Sequence, residues 1–319
     1  MILSLPALKK IIEYLKNYFT KEVNKTYLLL IIGLNALFIY LNYEYRIPKN
    51  WINDSNNFWE SFYRHFVFYF ASILYPFIVL YIFDRDPKFY TKKLWTIIAI
   101  GCAIFALRSS FTYHNKLISE WLKDNQELKS LAYNCFDNLV MFLLTIVPVF
   151  IIWMIWHRRQ MPFYGFSTKN FEAKPYWMLL LLMVPLIVWA SFQTDFLQQY
   201  PKVYGIFHYN NLTAENWKSV ALFELCYGID FISIESFFRG FMILLLGRII
   251  GYKCIIPIAC FYVGIHFWKP MAETASSFFG GMLLGVLALE TKSIYGGIMV
   301  HLGIAWLMEV GAIIVSSIK

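Results

Sequence analysis

Apolar positions in this chain form long unbroken runs divided by short polar stretches, rather than the alternating pattern of a half-buried strand. Runs at 27–43, 65–84, 93–113, 132–156, 176–193, 217–247, 253–268, 276–290 and 294–316 are the longest. A helix of about 20 such residues crosses a hydrocarbon core of about 30 Å, so about nine transmembrane helices are predicted. The segment ahead of them has a different period. Leu8, Ile11, Ile12, Leu15, Tyr18 and Phe19 recur at helical spacing, with Lys9, Lys10 and Lys16 on other faces, the pattern of an amphipathic helix lying on the membrane surface. It lacks the continuous apolar centre and small-residue cleavage site of a signal peptide. Three regions follow: an amphipathic helix in 1–26, a four-helix membrane region in 27–160, and a helical core in 175–319. The Pro-containing linker from Met161 to Pro175 divides the last two.

Composition excludes a soluble globular domain: 59% of residues are hydrophobic and 15% charged, against about 45–50% and about 25% in soluble domains. The mean hydropathy is +0.53. The spans leave room only for short loops, so any chemistry takes place at membrane depth. The net charge of +8 does not indicate a nucleic-acid partner, because the basic residues are spread through loops instead of forming one basic face. They concentrate on every second connection: Lys9, Lys10, Lys16, Lys21 and Lys25, then Arg85, Lys88, Lys92 and Lys93, then Arg158, Arg159, Lys169 and Lys174. By the positive-inside rule this places the N-terminus in the cytoplasm. Lys116, Lys123 and Lys129 in the outward loop 109–131 run against the pattern. The five cysteines are odd in number and contain no CxxC, which supports neither a disulfide framework nor a thiolate zinc site.

Ionisable groups inside a membrane usually face a protein interior or a water-filled cavity and mark function. Asp230, Glu235 and Arg239 share the sixth run, His266 lies in the seventh and His301 in the ninth. Glu235 and Arg239 are one helical turn apart and can pair, either as a structural staple or as an oriented catalytic carboxylate. Glu235 lies 13 residues from Arg248, His266 13 from Lys253 and His301 9 from Lys292. At about 1.5 Å per residue the three side chains reach similar depths, roughly 14–20 Å from the basic end.

These motifs resemble those of the CAAX-protease and bacteriocin-processing (CPBP, or Abi) intramembrane proteases, whose pattern is EExxxR followed by Gly, then FxxxH, then HxxxN or HxxxD. Ile234-Glu235 to Arg239-Gly240 resembles the first motif, Tyr262 to His266 the second, and His301 to Ala305 the third. The resemblance covers residues 175–316 and adds the small-residue stretch from Phe278 to Gly285 and the turn at Thr291 to Ile294. It implies a divergent all-α intramembrane protease whose catalytic core is 175–319, acting on a membrane-associated protein or peptide within the lipid bilayer. The expected location is a bacterial inner (plasma) membrane. Three departures stand out: Ile234 in place of the family's first glutamate, Ala305 in place of Asn or Asp, and Tyr262 in place of Phe.

The implied chemistry is peptide hydrolysis. Glu235 takes a proton from water, with Arg239 orienting it. His266 and His301 either hold zinc or another divalent metal together with Glu235, or stabilise the oxyanion without one. Asp230, one turn from Ile234, stands ready to supply the missing carboxylate or to act as a helix-pairing group, and the same choice applies to Glu309, one turn from Ala305. Two other readings stay open: a catalytically inactive scaffold or immunity protein, favoured by Ile234 and Ala305, and a proton-coupled transporter, against which the chain lacks internal repeats. The front spans and the loop 195–216 are expected to gate the cavity or select the partner.

Overall fold

The computed structural model describes residues 5–55, 57–123, 126–205 and 216–318, and every regular element in them is helical. The helices are α1 Leu5–Asn17, α2 Lys25–Tyr45, α3 Phe58–Phe83, α4 Lys92–Ser110, α5 Tyr113–Trp121, α6 Gln126–Ile152, α7 Ala173–Ser191, α8 Thr194–Gln199, α9 Trp217–Glu235, α10 Leu245–Ile250, α11 Ile255–Gly264, α12 Met271–Thr291 and α13 Tyr295–Ile318. A π-helical stretch, Ser236–Leu244, joins α9 to α10 without interruption. The protein is an all-α polytopic membrane protein.

Local chemistry sets several boundaries. The Asn24 side chain accepts from the Tyr27 amide at 3.1 Å and caps α2, and Asn57 caps α3 by accepting from the Glu60 amide at 3.0 Å, each satisfying an amide that lacks a partner in the first turn. Gly251 ends α10 at φ 61°, ψ −143°, a conformation only glycine adopts readily. In α2 the buried stripe is Ile31, Asn35, Ile39 and Asn42, while Leu29, Leu30 and Leu37 point outward. That arrangement of apolar residues facing out and polar ones facing in suits a lipid environment.

Among the described residues eight helical runs are long and apolar enough to cross a membrane, one of them the 48-residue run Trp217–Gly264 that takes in both the sixth and the seventh expected spans. The two expected spans meet at 251–254, and the second of them, expected over 253–268, is short. There α11 has ten residues, about 15 Å at 1.5 Å per residue, and belongs to the same apolar run as α9. All ten residues are buried inside the protein. An apolar run reads the same whether it faces lipid or a protein core, and here it forms the centre of the core. Phe237, Phe238 and Phe241 of the π stretch, Phe261 of α11 and Phe105 of α4 meet there as a tilted and edge-to-face aromatic cluster.

Two further expectations are refined. The apolar face of α1 is docked on protein, with Ile11 packed among Tyr176, Leu180, Leu284 and Leu287, while Ile12 remains 54% exposed. The linker after Met161 is also built into the core. Tyr164, fully buried at φ 31°, lies so close to Gly240 that a Cβ there would approach the Tyr164 carbonyl oxygen to 2.6 Å. The Gly165 carbonyl accepts from the Ile294 amide at 3.0 Å. The front and back halves therefore share one core.

Candidate active site

Glu235 is the last residue of α9 and opens the π-helical stretch, a rare geometry that recurs at functional sites. Its side chain is fully buried and that of Arg239 is 2% exposed, with Arg239 Nη1 3.0 Å from Glu235 Oε1. The guanidinium makes no aligned hydrogen bond there. Its charge is offset by the carboxylate on one side and on the other by the Tyr262 ring, whose centroid lies 4.6 Å from Cζ. Glu235 Oε2 faces the backbone of Gly297, where an added Cβ would sit 2.2 Å from it. Gly297 is therefore the residue that admits the carboxylate between α9 and α13.

On α13, His301 places Nδ1 2.8 Å from Glu235 Oε1 and Nε2 3.1 Å from the Tyr262 hydroxyl. A carboxylate only accepts, so Nδ1 carries the proton and, in the neutral ring, Nε2 accepts from the phenol. Phe231 packs edge-on against His301 with centroids 4.6 Å apart. Tyr262 also links the second histidine: His266 Nδ1 donates to the Tyr262 carbonyl oxygen at 2.7 Å, and the two rings lie 4.5 Å apart. With Nδ1 protonated, neutral His266 carries its lone pair on Nε2, on a partly exposed ring.

The turn that carries His266 is held from several directions. Asn42 Nδ2 donates to the Phe267 carbonyl at 3.1 Å, Tyr43 donates to the Lys269 carbonyl at 2.5 Å, and Thr274 donates to the His266 carbonyl at 2.5 Å. Trp268 stacks on His65 of α3. Helices α2 and α3 of the front half thus fix where the His266 ring stands.

The two reserve carboxylates lie elsewhere. Asp230 is gripped by both guanidinium nitrogens of Arg108 on α4, one of them at 2.7 Å from Oδ1, and also accepts from Ser233 Oγ at 2.8 Å. It pairs α9 with the front half. Glu309 accepts from the Lys202 amide at 2.9 Å and the Val203 amide at 3.5 Å, anchoring the chain after α8. Beside it, burial and the neighbouring Lys269 ammonium push Lys202 down to about 8. Residues 206–215 of the loop expected to gate the cavity lie outside the described residues.

Among the described residues no three His, Cys, Asp or Glu side chains group closely enough to hold a metal ion. His301 uses both ring nitrogens on Glu235 and Tyr262, and His266 turns Nδ1 to a carbonyl. The zinc set of His266, His301 and Glu235 is therefore not assembled in this arrangement. Arg108 does not stand out in the sequence, although a charge inside the run 93–113 is a signal of the kind that singles out Asp230. Neither Asn42 nor the Tyr262 hydroxyl carries a signal in the sequence that ties it to the site.

Fold and site together define a polytopic membrane protein with a buried carboxylate–imidazole centre. Residues 216–307 match the family model of Rce1-like proteins, type II CAAX prenyl endopeptidase Rce1-like, of the CPBP family. The match covers the back part of the chain, under a third of its length. The matched segment contains Asp230, Glu235, Arg239, Tyr262, His266 and His301. No curated protein and no solved structure matches the chain.

Proposed function

We propose that the protein is an intramembrane endopeptidase that hydrolyses a peptide bond in a membrane-associated protein or peptide carrying a prenylated CAAX-type terminus. The observation that carries this reading is the contact between His301 Nδ1 and Glu235 Oε1 at 2.8 Å, backed by Arg239 at 3.0 Å. It is the arrangement of a base whose tautomer and orientation a buried carboxylate sets. Glu235 has Oε1 engaged twice, so its role is to anchor His301, which accepts the water proton through the Nε2 side. His266 Nε2 accepts the second hydrogen of the same water and holds it for attack. The water oxygen bonds to the carbonyl carbon, the C–N bond breaks, and the proton gained by the imidazole leaves with the amine.

A second reading, a non-hydrolytic scaffold, is favoured by Ile234 and Ala305, both buried and without side-chain hydrogen-bonding groups. Mapping the termini of membrane proteins in host cells that carry wild type, Glu235→Ala or His301→Ala at equal protein levels separates the two. New termini that vanish in both variants support the peptidase. Identical termini in all three strains, with a phenotype on gene deletion, support the scaffold.

A further inference from the structure

The base nitrogen of the proposed site is not open. His301 Nε2 is occupied by the Tyr262 hydroxyl at 3.1 Å, so three groups from three helices form one chain: Glu235 Oε1, the His301 ring, the Tyr262 phenol. The ring of Tyr262 is confined on several sides. The Arg239 guanidinium covers one face, Phe238 packs edge-on at 4.9 Å, the His266 ring lies at 4.5 Å, and a Cβ placed on Gly281 would already touch the ring at 3.4 Å. Swinging the phenol aside would strip the buried Arg239 of the ring that covers it. The residue is 6% exposed, so its neighbours hold the ring in place. Neither Ile234 nor Ala305 can donate or accept through its side chain, and this hydroxyl is the group hydrogen-bonded to the imidazole Nε2.

We propose that Tyr262 is a catalytic proton relay between the nucleophilic water and His301, a role that rests on the endopeptidase reading. In the attack step a water O–H bond breaks and its proton passes to the Tyr262 oxygen. The Tyr262 O–H bond breaks as its proton passes to His301 Nε2, and the water oxygen bonds to the carbonyl carbon, whose π pair moves to oxygen. The imidazolium is held by Glu235, and the guanidinium over the ring stabilises negative charge on the phenol oxygen during the exchange. On collapse the carbonyl re-forms, the C–N bond breaks and the same two protons run back, one reaching the amine. The balance is peptide plus water to acid plus amine.

The test uses the full chain in liposomes and an internally quenched farnesyl-cysteine CAAX peptide. Tyr262→Phe is expected to lower the turnover rate by about 10²-fold or more, the usual worth of a positioned acid–base group, with half-saturation and melting temperature unchanged. Trifluorotyrosine at position 262 keeps the hydroxyl and shape while making the phenol more acidic, and is expected to move the pH–rate profile to lower pH. A structural role would not move that profile. Turnover unchanged or faster in Tyr262→Phe, with an unmoved profile in the fluorinated protein, overturns the relay while Glu235→Ala and His301→Ala inactivity keeps the endopeptidase reading. No cleavage by wild type overturns both.

Discussion

Replacing Gly297 by alanine probes the site through packing, without removing a polar group. The added methyl would lie 2.2 Å from Glu235 Oε2 and 3.1 Å from its Cδ, well inside van der Waals contact, so the carboxylate must retreat by about 1 Å. Glu235 is held at 2.8 Å from His301 and 3.0 Å from Arg239, and a retreat of that size stretches or breaks both contacts. Overpacking of this kind costs about 1–3 kcal/mol, rising towards about 3–5 kcal/mol if Arg239 is left unpaired. Alanine's better helix propensity returns at most about 1 kcal/mol. Displacing a catalytic group by about 1 Å lowers the rate about 10²-fold. Gly280→Ala is the control, because a Cβ there meets nothing within 4 Å. Thermal melting and peptide cleavage of both variants in nanodiscs give the comparison. Gly297→Ala matching Gly280→Ala in both would refute the packing argument and the placement of Glu235 against α13.

Arg108→Ala leaves the largely enclosed Asp230 carboxylate without its guanidinium and is expected to destabilise by up to about 3–5 kcal/mol, whereas Arg108→Met with Asp230→Leu regains most of it; equal melting temperatures for single and double variants would remove Asp230 from this pairing. Asn42→Ala orphans the Phe267 carbonyl, at an expected loss of about 1–3 kcal/mol, and lowers turnover by loosening the His266 turn; unaltered turnover would show that α2 does not position it. Lys202 should titrate near 8 rather than near 10.5, so its dimethylated ε-amine is about half neutral at pH 8 by carbon NMR. Because its folded pKa is lowered, keeping the charged form buried costs stability below pH 8, and stability rises as pH climbs from 8 towards 10.5; a midpoint near 10.5 would place Lys202 outside its buried setting.

How much of this was legible in the sequence differs by element. Long apolar runs identified the helices because a crossing helix needs an apolar residue at nearly every position. The same uniformity hid the nature of 253–268, where α11 is buried in protein on all sides, and the break at Gly251 was visible only as one glycine. Ionisable residues drew attention to Glu235, Arg239, His266 and His301, and four-residue spacing made the Glu235–Arg239 pair legible. Partners at long separation were not: Arg108 meets Asp230 across 122 positions and Asn42 meets Phe267 across 225. Tyr262 stands out in the sequence only as a departure from phenylalanine, since nothing there aims its hydroxyl at His301.

The central claim is peptide-bond hydrolysis by a centre built on Glu235, His266 and His301. Its most direct test is cleavage of the farnesyl-cysteine CAAX peptide by the purified chain in liposomes, wild type beside Glu235→Ala, His266→Ala and His301→Ala, with products read by mass spectrometry. Release of a C-terminal fragment by wild type and its loss in all three variants, each still folded by thermal melting, is the expected result. An intact peptide with wild type, or equal cleavage by all four proteins, would contradict the account.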